Sequence, residues 1–394
     1  MQKVEKFIPL SRPTINEETI KEVVNVLKSG WLATGPLAQK FEQKLSEYFK
    51  GRTAMCFTSA TAGLHASLMA LGIKEGDEVI TTPFTFAATA NVIAMLGARP
   101  VFVDIEVNTF NIDSSKIENA CTSKTKAIIP VHYAGLPVDL DPIYEIARRK
   151  NLRIIEDAAH AFGTSYKNRT IGTFGDIQVF SFHPIKNLTS GEGGCVVLDS
   201  ESEQKFLSLQ RFHGIDRSIW DRFSKNGSCY YDVVFPGFKS NLSDIQAAIG
   251  LHQLVEIETL NDRRRYLARR YYEAFDGLKD KIFLQAIPGY DFTHSGHLFP
   301  ICLLDKMQRD NFMEYLKKNS IGTTPYYTPL HLFTYYHKTF GYKKGDFPNA
   351  EYVGERVVCL PLYYELKEDE QDYIIETVKK FFRKFMGEMC RKRL

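Results

Sequence analysis

The first two-thirds of the chain alternates short apolar runs with stretches whose apolar residues recur at helical spacing, the pattern of strands alternating with helices. Helices are predicted from Glu17 to Lys28, ending at Gly30, and from about Pro36 to Tyr48. Thr53-Ala54-Met55-Cys56-Phe57 reads as a buried strand, followed by Thr58-Ser59-Ala60-Thr61 and a helix to Leu71. Further strands are predicted at Glu78 to Thr81, Arg99 to Val103, Ala127 to Val131 and Leu152 to Asp157, the last after a helix rich in Arg and Lys. Pro83 opens another turn and helix. Asp176 to Phe182 alternates as a strand, with Gly194 to Leu198 as its hairpin partner. This order predicts an α/β fold on a mostly parallel sheet.

From Ser243 to Phe275 the pattern is helical without a break. A helix of that length bridges lobes, which puts a boundary near Leu260. Residues 1–260 then form a large domain with an N-terminal arm. Residues 261–394 form a smaller α+β domain, with strands near Leu298 to Leu303 and a final helix from Asp369 to Met386. The segment Gly214 to Gly237, rich in Trp, Tyr and Arg, is predicted to be a long loop, and such loops are uncommon without a function.

Composition excludes several classes. The 394 residues are enough for a large core, and 44% hydrophobic with 25% charged residues is ordinary for a globular protein. A formal charge of +3 gives no case for nucleic acid, and the basic end from Cys390 to Leu394 reads as a solvated terminus. No apolar run approaches the roughly 20 residues of a membrane span, and Met1 to Lys6 lacks the apolar core of a secretion signal. The seven cysteines are scattered without a CxxC pair, which indicates neither a metal site nor a disulfide framework and points to a reducing cytoplasm.

Three polar signals stand just after predicted strands, where ligands of open α/β sheets bind. Ser59-Ala60-Thr61-Ala62-Gly63 joins a strand to a helix; its small residues and free N–H groups suit a phosphate, although Ser59 or Thr61 serves equally as a plain N-cap. Asp157 ends the apolar run Leu152 to Ile155, where a carboxylate needs a partner such as a protonated ring nitrogen, or else caps the next turn. Lys186, in Ser181-Phe182-His183-Pro184-Ile185-Lys186-Asn187 before a glycine-rich turn, is either a surface lysine or a partly buried one. Burial would favour the neutral amine that reacts with carbonyls.

These signals occur together with Ile8-Pro9-Leu10-Ser11-Arg12-Pro13, Ser29-Gly30-Trp31-Leu32-Ala33-Thr34-Gly35-Pro36, Gly76-Asp77-Glu78-Val79-Ile80, Pro83-Phe84-Thr85-Phe86, Glu156-Asp157-Ala158-Ala159-His160 and Cys359-Leu360-Pro361-Leu362-Tyr363. In that ordered set the chain resembles the DegT/DnrJ/EryC1/StrS sugar aminotransferases, over nearly its whole length. The resemblance implies an aspartate-aminotransferase-like large domain (fold type I) and pyridoxal 5'-phosphate as cofactor, held covalently by Lys186, which also moves the proton. It implies that Asp157 pairs with the ring nitrogen, and that Ser181, Ser59, Ala60 and Thr61 cradle the phosphate. Phe86 is placed against the pyridine face, with core packing as the plain alternative. His160 supports the ring or its hydroxyl, or is a core histidine.

Gly237-Phe238-Lys239-Ser240-Asn241-Leu242-Ser243-Asp244 departs from the family run, with Lys239 where an Asn reaches the phosphate of the neighbouring subunit. An ammonium there still suits a phosphate. This variant is similar to the branch that makes UDP-4-amino-4-deoxy-L-arabinose. Tyr326 stands where many relatives have His; with Tyr327, Trp31, Thr34, His183 and Asn241 it completes the candidate sugar contacts. The resemblance further implies a nucleotide-linked keto sugar, with UDP favoured, as acceptor. L-glutamate is the implied donor, leaving as 2-oxoglutarate and giving pyridoxamine phosphate between half-reactions. A homodimer with shared sites and a role in polysaccharide, lipopolysaccharide or amino-sugar biosynthesis are implied as well. Two other readings are a keto-sugar dehydratase, whose relatives often carry His in place of the lysine, and a non-catalytic cofactor-binding regulator. Lys186, and cysteines without the spacing of the iron–sulfur cluster that other such relatives add, argue against the first; Lys186, Asp157 and Ser181 together argue against the second.

Overall fold

The computed structural model describes residues 7–216 and 230–391. Met1 to Lys6, most of the predicted Gly214 to Gly237 loop and the last residues of the basic tail lie outside them. The large lobe is organised on a seven-stranded sheet of β1 (Thr53–Phe57), β2 (Glu78–Thr81), β3 (Arg99–Phe102), β4 (Thr125–Ile129), β5 (Arg153–Asp157), β6 (Ile177–Ser181) and β7 (Gly194–Leu198). Their spatial order is β1-β7-β6-β5-β4-β2-β3. The run from β6 to β3 is parallel, whereas β7 pairs antiparallel with both β6 and β1. The predicted hairpin of β6 and β7 is present, with Ser181 opposite Gly194. β4 ends earlier than predicted because Pro130 has no N–H for the ladder; Val131 returns as a single bridge to Asp157.

Strand residues alternate between two apolar layers. Ile128, Ile154 and Phe180 face a core with Phe41 and Leu45 from helix α2 and Phe49 just after it. Ile129, Ile155 and Val179 face the opposite core with Leu64 and Leu68 from helix α3. The helices of this lobe are α1 (Glu17–Ser29), α2 (Pro36–Tyr48), α3 (Ala60–Ala70), α4 (Ala87–Met95), α5 (Ser114–Ala120), α6 (Leu140–Lys150) and α7 (Glu201–Gln210). Asn16 caps α1 by accepting the Thr19 N–H. α2 begins with Gly35 and Pro36 and has no local side-chain cap; buried Asp244 accepts the N–H groups of Gly35 and Ala38 at 2.8 and 2.9 Å.

The predicted long helix is α8 (Asp244–Phe275), opened by a capping box of Ser243 and Gln246. Ala247 and Ile257 belong to the large-lobe core. Leu267, Tyr271 and Phe275 belong to a second core, built with the antiparallel strands β8 (Ile282–Leu284), β9 (Phe299–Leu303) and β10 (Val357–Leu360). Helices α9 (Arg309–Lys318) and α12 (Glu368–Arg391) cover that sheet. The N-terminal segment joins this smaller lobe: Ile8 bridges Ile321 and is buried in its core. Two short helices, α10 (Thr334–Phe340) and α11 (Pro348–Gly354), pack Tyr336 and Val353 with Phe84, Phe102 and Tyr133 of the large lobe. At seven residues each they are too short for sequence periodicity to reveal. Among the described residues no helix is long and apolar enough to cross a membrane, no His/Cys/Asp/Glu group is arranged to hold a metal, and the five cysteines are free.

Candidate active site

The three polar signals converge. β1, β5 and β6 end beside one cavity of about 320 Å³, and Ser59, Ala60, Thr61, Asp157, His160, Ser181 and Lys186 all line it. Lys186 and Asp157 therefore share a single chamber, as joint action on one ligand requires.

Lys186 sits in a tight turn whose backbone N–H donates to the His183 carbonyl at 2.9 Å. Burial pushes its amine down from 10.5 to about 8, against the pull of the Asp157 carboxylate. The amine is therefore more readily deprotonated near neutral pH than an ordinary lysine. Asp157 is buried at the end of β5, and burial raises its carboxyl above the usual range. The Thr89 hydroxyl at 2.8 Å, the Ala159 N–H at 3.1 Å and the Lys186 charge all oppose that rise. His160 accepts the Ala134 N–H on Nδ1 at 3.2 Å, and its Nε2 lies 3.2 Å from the Tyr327 hydroxyl. Burial holds it far below its ordinary value, so the ring is neutral. His160 is thus both packed and cavity-lining.

At the start of α3, the Ser59 hydroxyl accepts the Ala62 N–H at 3.1 Å. The plain cap reading holds for that side chain. The first-turn N–H groups of Ala60 and Thr61 have no acceptor within an α-helix, and both residues line the cavity. This helix end lies hard against β7: a Cβ on Gly194 would fall 2.5 Å from the Ala60 nitrogen. Phe86 precedes α4 at the cavity wall and is 61% exposed, which removes its core-packing alternative. His183, Tyr326 and Tyr327 also line the chamber.

Four other predicted contacts lie outside this chain's own cavity. The Trp31 indole N–H donates to the Thr34 carbonyl at 3.3 Å, the Asn241 amide donates to the Thr34 hydroxyl, and the Lys239 ammonium donates to Asn241. They form one cluster beside β1, where Asn241 bridges Phe57. Sequence reasoning missed Thr89, on the first turn of α4, whose hydroxyl stands 3.0 Å from that of Thr85; a lone hydroxyl on an otherwise apolar helix carries no sequence signal of its own. It also missed Glu192, whose carboxylate lies 3.8 Å from His183 Nε2.

A family model described as the DegT/DnrJ/EryC1/StrS aminotransferase family matches residues 13–379. The chain belongs to that family. MJ1066 of Methanocaldococcus jannaschii, an uncharacterized protein, is 50% identical over 95% of this chain and 98% of its own length. SpsC of Bacillus subtilis, a spore coat polysaccharide biosynthesis protein, is 43% identical over 96% of this chain and 98% of its own. Among solved structures, the PMP form of Spr1654 from Streptococcus pneumoniae is similar with a TM-score of 0.90 and 35% identity, over 96% of this chain and 99% of that one. Helicobacter pylori PseC, an aminotransferase involved in the biosynthesis of pseudoaminic acid, has a TM-score of 0.89 and 30% identity, over 96% of this chain and 100% of that one.

The enzyme has the fold type I architecture and uses pyridoxal phosphate, in common with its family. The residues present fit that cofactor. The chamber combines an amine of lowered basicity, a buried carboxylate, a helix N-terminus and an exposed aromatic ring, and its wall is predominantly apolar.

Proposed function

We propose that the enzyme moves an amino group from L-glutamate to a nucleotide-linked keto sugar, with UDP as the favoured nucleotide, in the cytoplasm. The observation that carries this reading is the shared chamber of Lys186 and Asp157. The names of SpsC and PseC, tied to polysaccharide and pseudoaminic acid biosynthesis, support a sugar acceptor.

Lys186 would hold the cofactor through Nζ until an incoming amine displaces it, and the freed Nζ would accept and return the proton of the reacting carbon. An amine near 8 suits both directions of that transfer, since it is neither fully protonated nor a strong base at physiological pH. The bound cofactor supplies a reactive carbonyl and an electron-withdrawing ring. Asp157, whose charged form the Thr89 hydroxyl and the Ala159 N–H favour, would hold a proton on the ring nitrogen. The Ala60 and Thr61 N–H groups with Ser181 would take the phosphate, and Phe86 and His160 would orient the ring. In this reading Lys239, Asn241, Trp31 and Thr34 serve the site of a second copy of the chain, which makes the working unit a homodimer.

Purified enzyme should be yellow, and borohydride should bleach it and leave the cofactor mass on a peptide containing Lys186. Enzyme loaded with pyridoxamine phosphate should then lose its absorbance with one of a panel of UDP-, dTDP- and GDP-linked keto sugars. Silence across the panel would refute the sugar assignment, and modification of another lysine would refute the role of Lys186.

A further inference from the structure

Asn187, the residue after Lys186, is buried at the junction of the lobes in a set of hydrogen bonds that allows only one arrangement. Its amide nitrogen donates to the Ser295 carbonyl at 2.7 Å. That fixes the orientation of the amide, because a backbone carbonyl only accepts. The same nitrogen donates at 2.7 Å to Asn261 Oδ1, and Asn261 is oriented in turn by donating to the Phe162 carbonyl at 3.1 Å. The remaining Asn187 oxygen faces His297 Nδ1 at 3.1 Å, so His297 must carry its proton on Nδ1. Its Nε2 is a buried acceptor without a partner among the described residues. Burial, with the charges of Lys186 and Arg264 nearby, keeps that ring neutral.

Asn261 lies on α8, Ser295 and His297 precede β9, and Asn187 lies on the lysine turn. Three separate stretches of chain therefore meet on one amide. The fit is close: a Cβ at Gly163 would fall 2.2 Å from the Asn261 amide nitrogen, and Gly163 also has a left-handed φ of +82°. The His297 ring stands 4.3 Å from that of His160, which lines the chamber. A residue whose hydrogen-bonding groups are all engaged, one peptide from the reactive amine, fixes where that amine can reach.

We propose that Asn187 and His297 are positioning residues: together with Asn261 they latch the Lys186 turn to the small lobe and set the direction of its amine. This rests on the reading of Lys186 as the reactive amine. Neither residue touches the cavity, so both act through Lys186.

The test uses Asn187→Ala, His297→Phe and His297→Gln. The glutamine retains an N–H for the Asn187 oxygen; the phenylalanine retains only the ring. In the full-length enzyme, Asn187→Ala and His297→Phe should lower kcat by about tenfold to a hundredfold with little change in KM for the donor, as expected for a misplaced catalytic group. His297→Gln should recover most of the loss. Competitive acetylation of the cofactor-free variants, read by mass spectrometry, should show the titration midpoint of Lys186 moved up toward ordinary lysine when the turn is released. Unchanged kcat in folded Asn187→Ala and His297→Phe would overturn the proposal. So would a loss of kcat with an unmoved Lys186 midpoint, which would mean general destabilisation. Failure of the underlying reading is separately visible, because Lys186→Ala would then remain active.

Discussion

Glu156 and Asp157 are consecutive on β5 and point to opposite faces of the sheet, so one sequence step separates a structural carboxylate from a chamber-lining one. Glu156 is fully buried and accepts from the Tyr144 hydroxyl at 2.7 Å, the Gln178 amide at 2.7 Å and His132 Nε2 at 3.0 Å. His132 donates there because its Nδ1 already accepts the Val138 N–H at 3.1 Å. Glu156→Ala would strand three buried donors and should cost about 3–5 kcal/mol in chemical denaturation. Asp157→Asn should fold normally and slow both half-reactions by about a hundredfold. Equal effects of the two substitutions on stability would contradict the division of roles.

Thr89 controls the acidic side of the pH profile. Its hydroxyl favours the ionised form of Asp157, which burial alone disfavours. Thr89→Val removes that donor and so raises the Asp157 pKa further. The anion is then lost at a higher pH as the solution is acidified. As the pH is lowered, activity of the variant should be lost at a higher pH than that of the wild type. A superimposable profile would show that Thr89 does not act through Asp157.

Lys186 is held at a cost to stability. With its amine lowered from 10.5 to about 8, the folded state binds fewer protons than the unfolded state between those values. Stability therefore rises with pH across that window, and the penalty is full below about 8. Cofactor-free Lys186→Met should be more stable than cofactor-free wild type by about 1–3 kcal/mol at pH 7. The advantage should fade by pH 10.5, the ordinary lysine value. Denaturant titrations at pH 7 and pH 10.5 decide this, and a difference independent of pH would point to packing instead.

Gly194 sets the distance between β7 and α3. Added carbon there meets only backbone: Ala60 nitrogen at 2.5 Å, the Phe180 oxygen at 2.7 Å and the Ser59 carbonyl carbon at 2.8 Å. None is a flexible tip that can swing away. Gly194→Ala should cost about 1–3 kcal/mol and weaken pyridoxal phosphate binding measurably by shifting the helix end. Cofactor affinity equal to wild type would show that this helix end does not contact the phosphate.

Asp157 was legible because it closes a predicted apolar strand, and Lys186 because it stands in the turn a few residues beyond the next one, at the strand ends where ligands of such sheets sit; the resemblance to the family then chose between their plain and functional readings. The hairpin partner Gly194 to Leu198 and the helix from Ser243 were legible from uninterrupted periodicity. Thr89 was not read because an apolar helix face hides a single hydroxyl whose purpose appears only when Asp157 is placed beside it. The Asn187–His297 contact joins residues separated by 110 positions and leaves no local pattern. Helices α10 and α11 are shorter than the window in which periodicity can be seen. Ile8 was assigned to the large domain by its place in the chain, whereas its burial is decided by the bridge to Ile321.

Helix α8 supplies Ala247 and Ile257 to one apolar interior and Leu267, Tyr271 and Phe275 to the other. A cut near Leu260 would leave each fragment with an unsealed hydrophobic face and half a spine. Neither fragment should fold when expressed separately, and the intact polypeptide should melt in one calorimetric step. Because the same helix is anchored in both interiors, reorienting one half against the other would have to bend it.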